Sequence, residues 1–159
     1  MSEDKDATHW DARYRAAQDA GSTVWSREPN RFVVAELSDL APGSGVDLGA
    51  GEGRNALWLA SQGWRMTAVD FSAAALAAGS RAAAERGLDI DWVVADATTW
   101  EPEEPVDLVL MAYLHLPSAV VAEISAKVSG WLRDGGTLLV VGHDADNLGS
   151  GAGGPRDPD

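Results

Sequence analysis

The sequence predicts an α/β domain: a parallel sheet of about five strands with helices on both faces. Three observations predict it. Short apolar runs recur along the chain and alternate with segments of helical spacing. A glycine turn, Gly49-Ala50-Gly51-Glu52-Gly53, joins the first apolar run to a helical segment. An acid, Asp70, closes the next run, twenty-one residues after Gly49. Parallel strands need a crossover long enough to hold a helix, so this alternation favours a parallel sheet over a meander.

The elements follow in order. Thr8 to Ala20 reads as a leading helix. Asn30 to Leu40 reads as a second, with Phe32, Val33, Leu37 and Leu40 near helical spacing and Pro42-Gly43 as the stop. Gly45 to Leu48 is the first strand, and Arg54 to Ser61 the helix after the glycine turn, ended by Gly63. Arg65 to Asp70 is the second strand. Ser72 is placed to cap an alanine-rich helix running to about Arg86, with Gly87 beyond it. Ile90 to Val94 and Val106 to Ala112 are the third and fourth strands. Ser118 is the expected cap of a helix whose Val120, Ile124, Val128 and Trp131 lie on one face. Asp134-Gly135-Gly136 then turns into the fifth strand, Thr137 to Val141. One domain over residues 1–143 is expected, followed by a glycine- and proline-rich loop or disordered tail over 144–159.

Composition narrows the function classes. The chain has 159 residues, 45% of them apolar, which suffices for a core. Twenty-five acids against twelve Lys and Arg give a formal net charge of −13. A duplex or tRNA binder needs a basic face to neutralise phosphates, so no nucleic-acid partner is expected. Cysteine is absent, which excludes disulfides, thiolate metal sites and a cysteine nucleophile. No His-acid spacing suggests a metal site. No apolar stretch approaches the ~18 residues of a membrane span, and the acidic start, Met1 to Asp6, is unlike a signal peptide. A cytoplasmic protein without membrane contact is the expectation.

The glycine turn carries the chemistry. Without a Cβ, the backbone passes close to a ligand. An acid ending the second strand accepts hydrogen bonds from ribose hydroxyls, so strand, turn, helix and acid make a nucleoside-binding half. The spacing departs from the dinucleotide fingerprint G-x-G-x-x-G, because Arg54 stands at the third glycine's place. A phosphate-loop reading fails as well, since no Gly-Lys-Ser/Thr follows. The competing explanation of the turn is a tight strand-to-helix connection without a ligand.

On Asp47-Leu48-Gly49-Ala50-Gly51-Glu52-Gly53 the chain resembles the class I S-adenosylmethionine-dependent methyltransferases, whose first motif reads acid-x-Gly-x-Gly-x-Gly. His9-Trp10-Asp11-Ala12-Arg13-Tyr14, Val24-Trp25-Ser26 and Pro29-Asn30 resemble the front of the small-molecule branch of tellurite-resistance and thiopurine type. The resemblance implies a Rossmann-like sheet of order 3-2-1-4-5, S-adenosyl-L-methionine as cofactor and a small-molecule methyl acceptor. It implies cofactor contacts at Asp47, Gly49, Ala50, Gly51, Gly53, Arg54, Asp70, Phe71, Asp96, Ala97 and Met111. Asp96 would take the adenine amino group, and Trp10 and Trp25 would close over the cofactor as ring faces for a sulfonium. Arg54 sits at a helix start, where the macrodipole disfavours a cation. Asp47, Glu52 or the ligand's carboxylate would offset that. Tyr113, His115 and His143 are the candidate catalytic groups near the methyl, each weighed against a packing role.

The family adds two strands as a hairpin beside the fifth. They are missing from this sequence, which reads as a truncation. Thr137 to Val141 is then an apolar edge that invites self-association. Two other readings compete with a working enzyme. One is a catalytically impaired cofactor-binding or interaction module of the same fold. The other is a nicotinamide-dependent oxidoreductase, disfavoured by Arg54 and by the lack of a clear Tyr-x-x-x-Lys pair.

Overall fold

The computed structural model describes residues 7–143, so the expected tail over 144–159 lies outside the described residues. The elements are α1 (Ala7–Asp19), α2 (Arg31–Leu37), β1 (Ser44–Leu48), α3 (Arg54–Ser61), β2 (Arg65–Asp70), α4 (Ala73–Glu85), β3 (Ile90–Val94), β4 (Val106–Ala112), α5 (Ser118–Ser129) and β5 (Leu132–Val141). The strands form one sheet in the order β3-β2-β1-β4-β5, and every pair is parallel. This is the expected order. It reverses between β1 and β4, and in such sheets a crevice opens at the strands' carboxyl ends beside the reversal.

Both sheet faces are buried, and the two-residue period of the strands sorts side chains between them. In β4, Leu108 and Leu110 join the core under α2, α3 and α4, with Leu37, Leu59 and Leu76. Val109 and Met111 join the opposite core under α5, with Val46, Leu48, Ile124 and Val128. A third, smaller cluster seats α1 on the start of α4 through Trp10, Tyr14 and Ala75.

Two helix starts match the sequence. The Asn30 side chain accepts from Phe32 N at 2.9 Å and Val33 N at 3.4 Å, and Ser72 Oγ accepts from Ala75 N at 3.2 Å. Each offsets backbone donors that the first helical turn leaves without a partner.

Beside one-residue shifts of α1 and of the start of β1, three boundaries differ from expectation for local chemical reasons. α2 ends at Leu37 rather than Leu40, and Leu40 lies exposed beyond it. The Ser38 hydroxyl donates back to Val34 O, a local bond that competes with continuation of the helix. α5 starts at Ser118 itself, with Pro117 in the cap position and no side-chain cap. Pro117 is extended at φ −53° and ψ 144°, and its carbonyl accepts from Val121 N at 3.0 Å. Finally, β5 begins at Leu132, which pairs with Val106, before Thr137 pairs with Leu108. Asp134-Gly135-Gly136, read as a turn before the strand, lie with Arg133 in a bulge inside it, with Gly135 at φ +79°. Arg133 pins the bulge by donating to Asp107 Oδ2 at 3.0 Å and Ser44 Oγ at 3.1 Å.

Among the described residues β5 pairs only with β4, so its other side is an edge. Leu138 and Leu139 are half-buried there, and Val140 is 45% exposed.

Candidate functional site

The glycine turn leaves β1 under backbone control. Gly49 N and Ala50 N both donate to Val69 O, at 2.8 and 3.0 Å, which ties the turn to the neighbouring strand. Gly51 and Gly53 have φ of +56° and +75°, a region costly for residues with a Cβ. Close approach adds a second reason. A Cβ on Gly51 would lie 2.7 Å from the Tyr14 hydroxyl, and one on Gly53 would lie 2.6 Å from the Trp92 ring.

Above the turn lies a cavity of about 330 Å³ at the carboxyl ends of the strands. That is within the usual range for small-molecule sites, about 300–1,000 Å³. Gly49, Ala50, Gly51 and Arg54 contribute wall from the first motif, and Asp70 and Phe71 from the end of β2. Asp96 and Ala97 contribute from the segment after β3. Trp10 and Trp25 close the opposite side, and Tyr113 and His115 stand after β4. The fold thus gathers twelve of the expected site residues, from positions 10 to 115, into one wall.

Four expected residues lie elsewhere. Asp47 is 1% exposed and not in the cavity wall. The strand period turns it away from Val46 and Leu48, beneath α3, where its carboxylate accepts from the Ala56 amide. Gly53 serves the turn and the packing of Trp92 rather than the wall. Met111 is 1% exposed in the core under α5, and Ala112 takes the wall position in its place. His143 is exposed at the end of β5 and outside the wall, its ring 4.6 Å from that of Tyr113.

The electrostatics follow from burial. Asp70 Oδ2 accepts from Gly51 N at 2.8 Å, and Oδ1 from Ser72 N at 2.9 Å. Burial raises its pKa, while those two amides act in the opposite sense. The carboxylate is therefore both a tie between the glycine turn and the residue that caps α4 and a wall acceptor, each oxygen keeping capacity beyond the one amide it receives. Burial pushes Asp47 further, to about 7, with the Ala56 amide and the Arg54 charge pulling it down and Asp70 pushing it up. Asp96 Oδ1 accepts from Thr98 N at 2.8 Å and Thr98 Oγ1 at 2.7 Å, an Asx-type turn that fixes the carboxylate.

Arg54 makes no ion pair among the described residues. Its Nη1 donates to Ser26 Oγ at 2.9 Å, so neither acid expected to offset it does so by direct contact. Sequence reasoning did not foresee how the segment after α1 is tied down. Glu52 Oε2 accepts from Val24 N at 3.1 Å and Trp25 N at 3.4 Å, and Asn55 Oδ1 accepts from Asn30 N at 2.9 Å. The signal was the polar residue inside and just after the glycine turn, where a helix needs none. Aromatic rings complete the mouth. Trp25 stacks on His115 at 6.0 Å and 12°, Trp10 lies 5.4 Å from His115, and Tyr14 Oη accepts from Trp25 Nε1 at 3.1 Å.

Residues 46–136 match the family described as methyltransferase domain. That stretch holds the glycine turn, Asp70, Asp96, the last three residues of β1 and all of β2, β3 and β4. The chain belongs to the methyltransferase domain family. The methyltransferase domain is 34% identical over 107 residues to Hemagglutinin 1 of Eikenella corrodens, covering 66% of this chain and 36% of that protein. It is 43% identical over 47 residues to the ribosomal RNA small subunit methyltransferase C of Alcanivorax borkumensis, covering 30% of this chain and 14% of that protein. The chain thus spans only about a third of the first of these curated relatives. Among solved structures it resembles TehB from Haemophilus influenzae, with 24% identity and a TM-score of 0.65 over 70% of this chain and 40% of that one. A structure described as the conversion of a disulfide bond into a thioacetal group during echinomycin biosynthesis shows 28% identity and a TM-score of 0.70. That likeness covers 85% of this chain and 60% of the other. The fold is that of the class I S-adenosylmethionine-dependent methyltransferases.

Proposed function

We propose that this methyltransferase domain binds S-adenosyl-L-methionine over the glycine turn and transfers its methyl group to a small-molecule acceptor, in the cytoplasm. The observation that carries the reading is the sharing of one wall by two carboxylates, Asp70 and Asp96, and the close-approach glycines Gly49 and Gly51. The donor set fits the cofactor. Asp70 offers an acceptor to ribose hydroxyls, and Asp96 one to an exocyclic amine, with Ala97 beside it. Phe71 supplies an apolar surface, and Trp10 and Trp25 supply ring faces for a cation. Arg54, without a carboxylate partner among the described residues, suits a ligand carboxylate. When bound, the cofactor supplies an electrophilic methyl on a sulfonium.

The chain's own part is to hold the acceptor in line with that methyl and keep water out, since proximity supplies most of the acceleration. Tyr113 and His115 stand in the wall after β4, and His143 reaches the group through its contact with Tyr113. A thiol or chalcogenide acceptor needs little help from a base; an oxygen or nitrogen acceptor draws on His115 or His143. The net charge of −13 supports a small acceptor over a nucleic acid.

The test is transfer of labelled methyl groups to a panel of small thiols, amines and phenols, with ribosomal RNA alongside. Labelling of a small molecule bears the reading out. Labelling of RNA alone overturns the acceptor class. Cofactor binding without labelling of any acceptor favours the impaired module.

A further inference from the structure

Glu52 lies in the middle of the glycine turn, between two residues of positive φ, and its side chain does work that a turn does not require. Oε2 accepts from the consecutive amides of Val24 and Trp25, at 3.1 and 3.4 Å. Oε1 is buried with no hydrogen-bond partner among the described residues. An acid whose only task was solubility would keep both oxygens in water. Burial here raises the Glu52 pKa, with the Trp25 and Val24 amides and the Arg27 charge opposing the rise. Backbone amides twenty-seven and twenty-eight residues away are thus bound to the turn by one carboxylate.

The consequence reaches the cavity through Trp25. Its Nε1 donates to Tyr14 Oη at 3.1 Å, and its ring stacks on His115. Tyr14 in turn stands against Gly51, so the turn, the segment and the aromatic mouth form a closed circuit of contacts. Arg54 adds a second tie to the same segment at Ser26 Oγ, 2.9 Å away. Both ties start from residues of the glycine motif, and both end in the segment that carries Trp25.

We infer that Glu52 is a positioning residue: its carboxylate latches the 22–26 segment to the glycine turn and so sets the Trp25 ring over the cavity. A ligand that orders the turn thereby orders the aromatic mouth, and the reverse holds by linkage. The latch is a statement about the ligand-free protein. Only its effect on binding rests on the cofactor reading above.

The experiment measures amide hydrogen exchange at Val24 and Trp25 in wild type, Glu52→Ala and Glu52→Gln, first without ligand. Glu52→Ala removes both acceptors and should speed exchange of these two amides at least about tenfold, while amides in β1 and β4 keep wild-type rates. Glu52→Gln keeps one oxygen acceptor and should restore slow exchange to within about threefold of wild type. S-adenosylhomocysteine is then titrated into each protein. Its affinity should fall at least about fivefold in Glu52→Ala and recover in Glu52→Gln. Unchanged exchange in a folded Glu52→Ala protein overturns the latch, and so does fast exchange in both variants. Wild type that fails to bind S-adenosylhomocysteine overturns the cofactor reading instead, and the ligand-free exchange still decides the latch. Arg54→Ala is the second variant: its Ser26 tie should loosen the same segment by less than Glu52→Ala does.

Discussion

Asp70 is asked to do two things at once. It holds Gly51 N and Ser72 N, and it faces the cavity. Asp70→Ala should therefore weaken S-adenosylhomocysteine binding by about 1.5–3 kcal/mol, the scale of losing hydrogen bonds to a charged acceptor. Calorimetry on the folded variant checks this, and unchanged affinity would remove Asp70 from the ribose role. Asp47 makes a different prediction. Its folded pKa, about 7, stands above the ordinary carboxylate value. Between the two values the folded state binds the proton more tightly than the unfolded chain does. The group's contribution to stability is therefore full below pH ~4, falls as pH rises toward 7, and is flat beyond it. Asp47→Asn removes that dependence while leaving an acceptor for Ala56. Relative to wild type, the variant should be more stable at pH 8 than at pH 5 by about 1 kcal/mol or more, read from urea midpoints at the two values. The sequence showed both acids, but only the strand period distinguished them. Val46 and Leu48 face α5, so Asp47 points beneath α3, where burial keeps it out of the wall. The same parity argument sends Met111 into the core with Val109. Those two assignments came from family likeness; the two-residue period places Asp47 and Met111 on opposite faces of the sheet, and it is the packing over each face that buries them.

At the scale of elements, the strands were the most legible feature, because both their faces are buried and each run is bounded by Gly, Pro or an acid. β2, β3 and β4 and helix α3 match residue for residue. The departures are local chemistry that periodicity does not encode: a back-bonding Ser38, a proline opening α5, and a bulge at residues 133–136 pinned by Arg133. Gly79 shows how packing overrides propensity. In α4, alanine would ordinarily gain about 1 kcal/mol over glycine. Here a Cβ at position 79 would lie 2.5 Å from the Trp92 ring and 2.7 Å from the carbonyl oxygen of Glu52. The carbonyl belongs to the glycine turn and cannot swing aside as a side chain would. Gly79→Ala should therefore lower the melting temperature and weaken S-adenosylhomocysteine binding together. Scanning calorimetry with and without the ligand tests this, and a stabilised variant of unchanged affinity would contradict the packing of α4 on the turn.

At the scale of the whole molecule, one edge of the sheet among the described residues is β5, with Val140 exposed and Leu138 and Leu139 half-buried. An apolar strand with unpaired backbone groups favours pairing with another chain. The 159-residue protein should show a weight-average mass that rises with concentration in static light scattering, and a constant monomer mass would show that the edge is protected. The order of the sheet could be expected only through family likeness, since no local pattern states where a strand inserts. The central claim is that the crevice beside the reversal of strand order is a cofactor site built by the glycine turn, Asp70 and Asp96. The most direct test is isothermal titration of the 159-residue protein with S-adenosylhomocysteine and, separately, with a nicotinamide dinucleotide. Saturable binding of S-adenosylhomocysteine at one site per chain, weakened in Asp70→Ala and absent for the dinucleotide, is the predicted result. Binding of the dinucleotide alone, or of neither ligand to a folded protein, would contradict it.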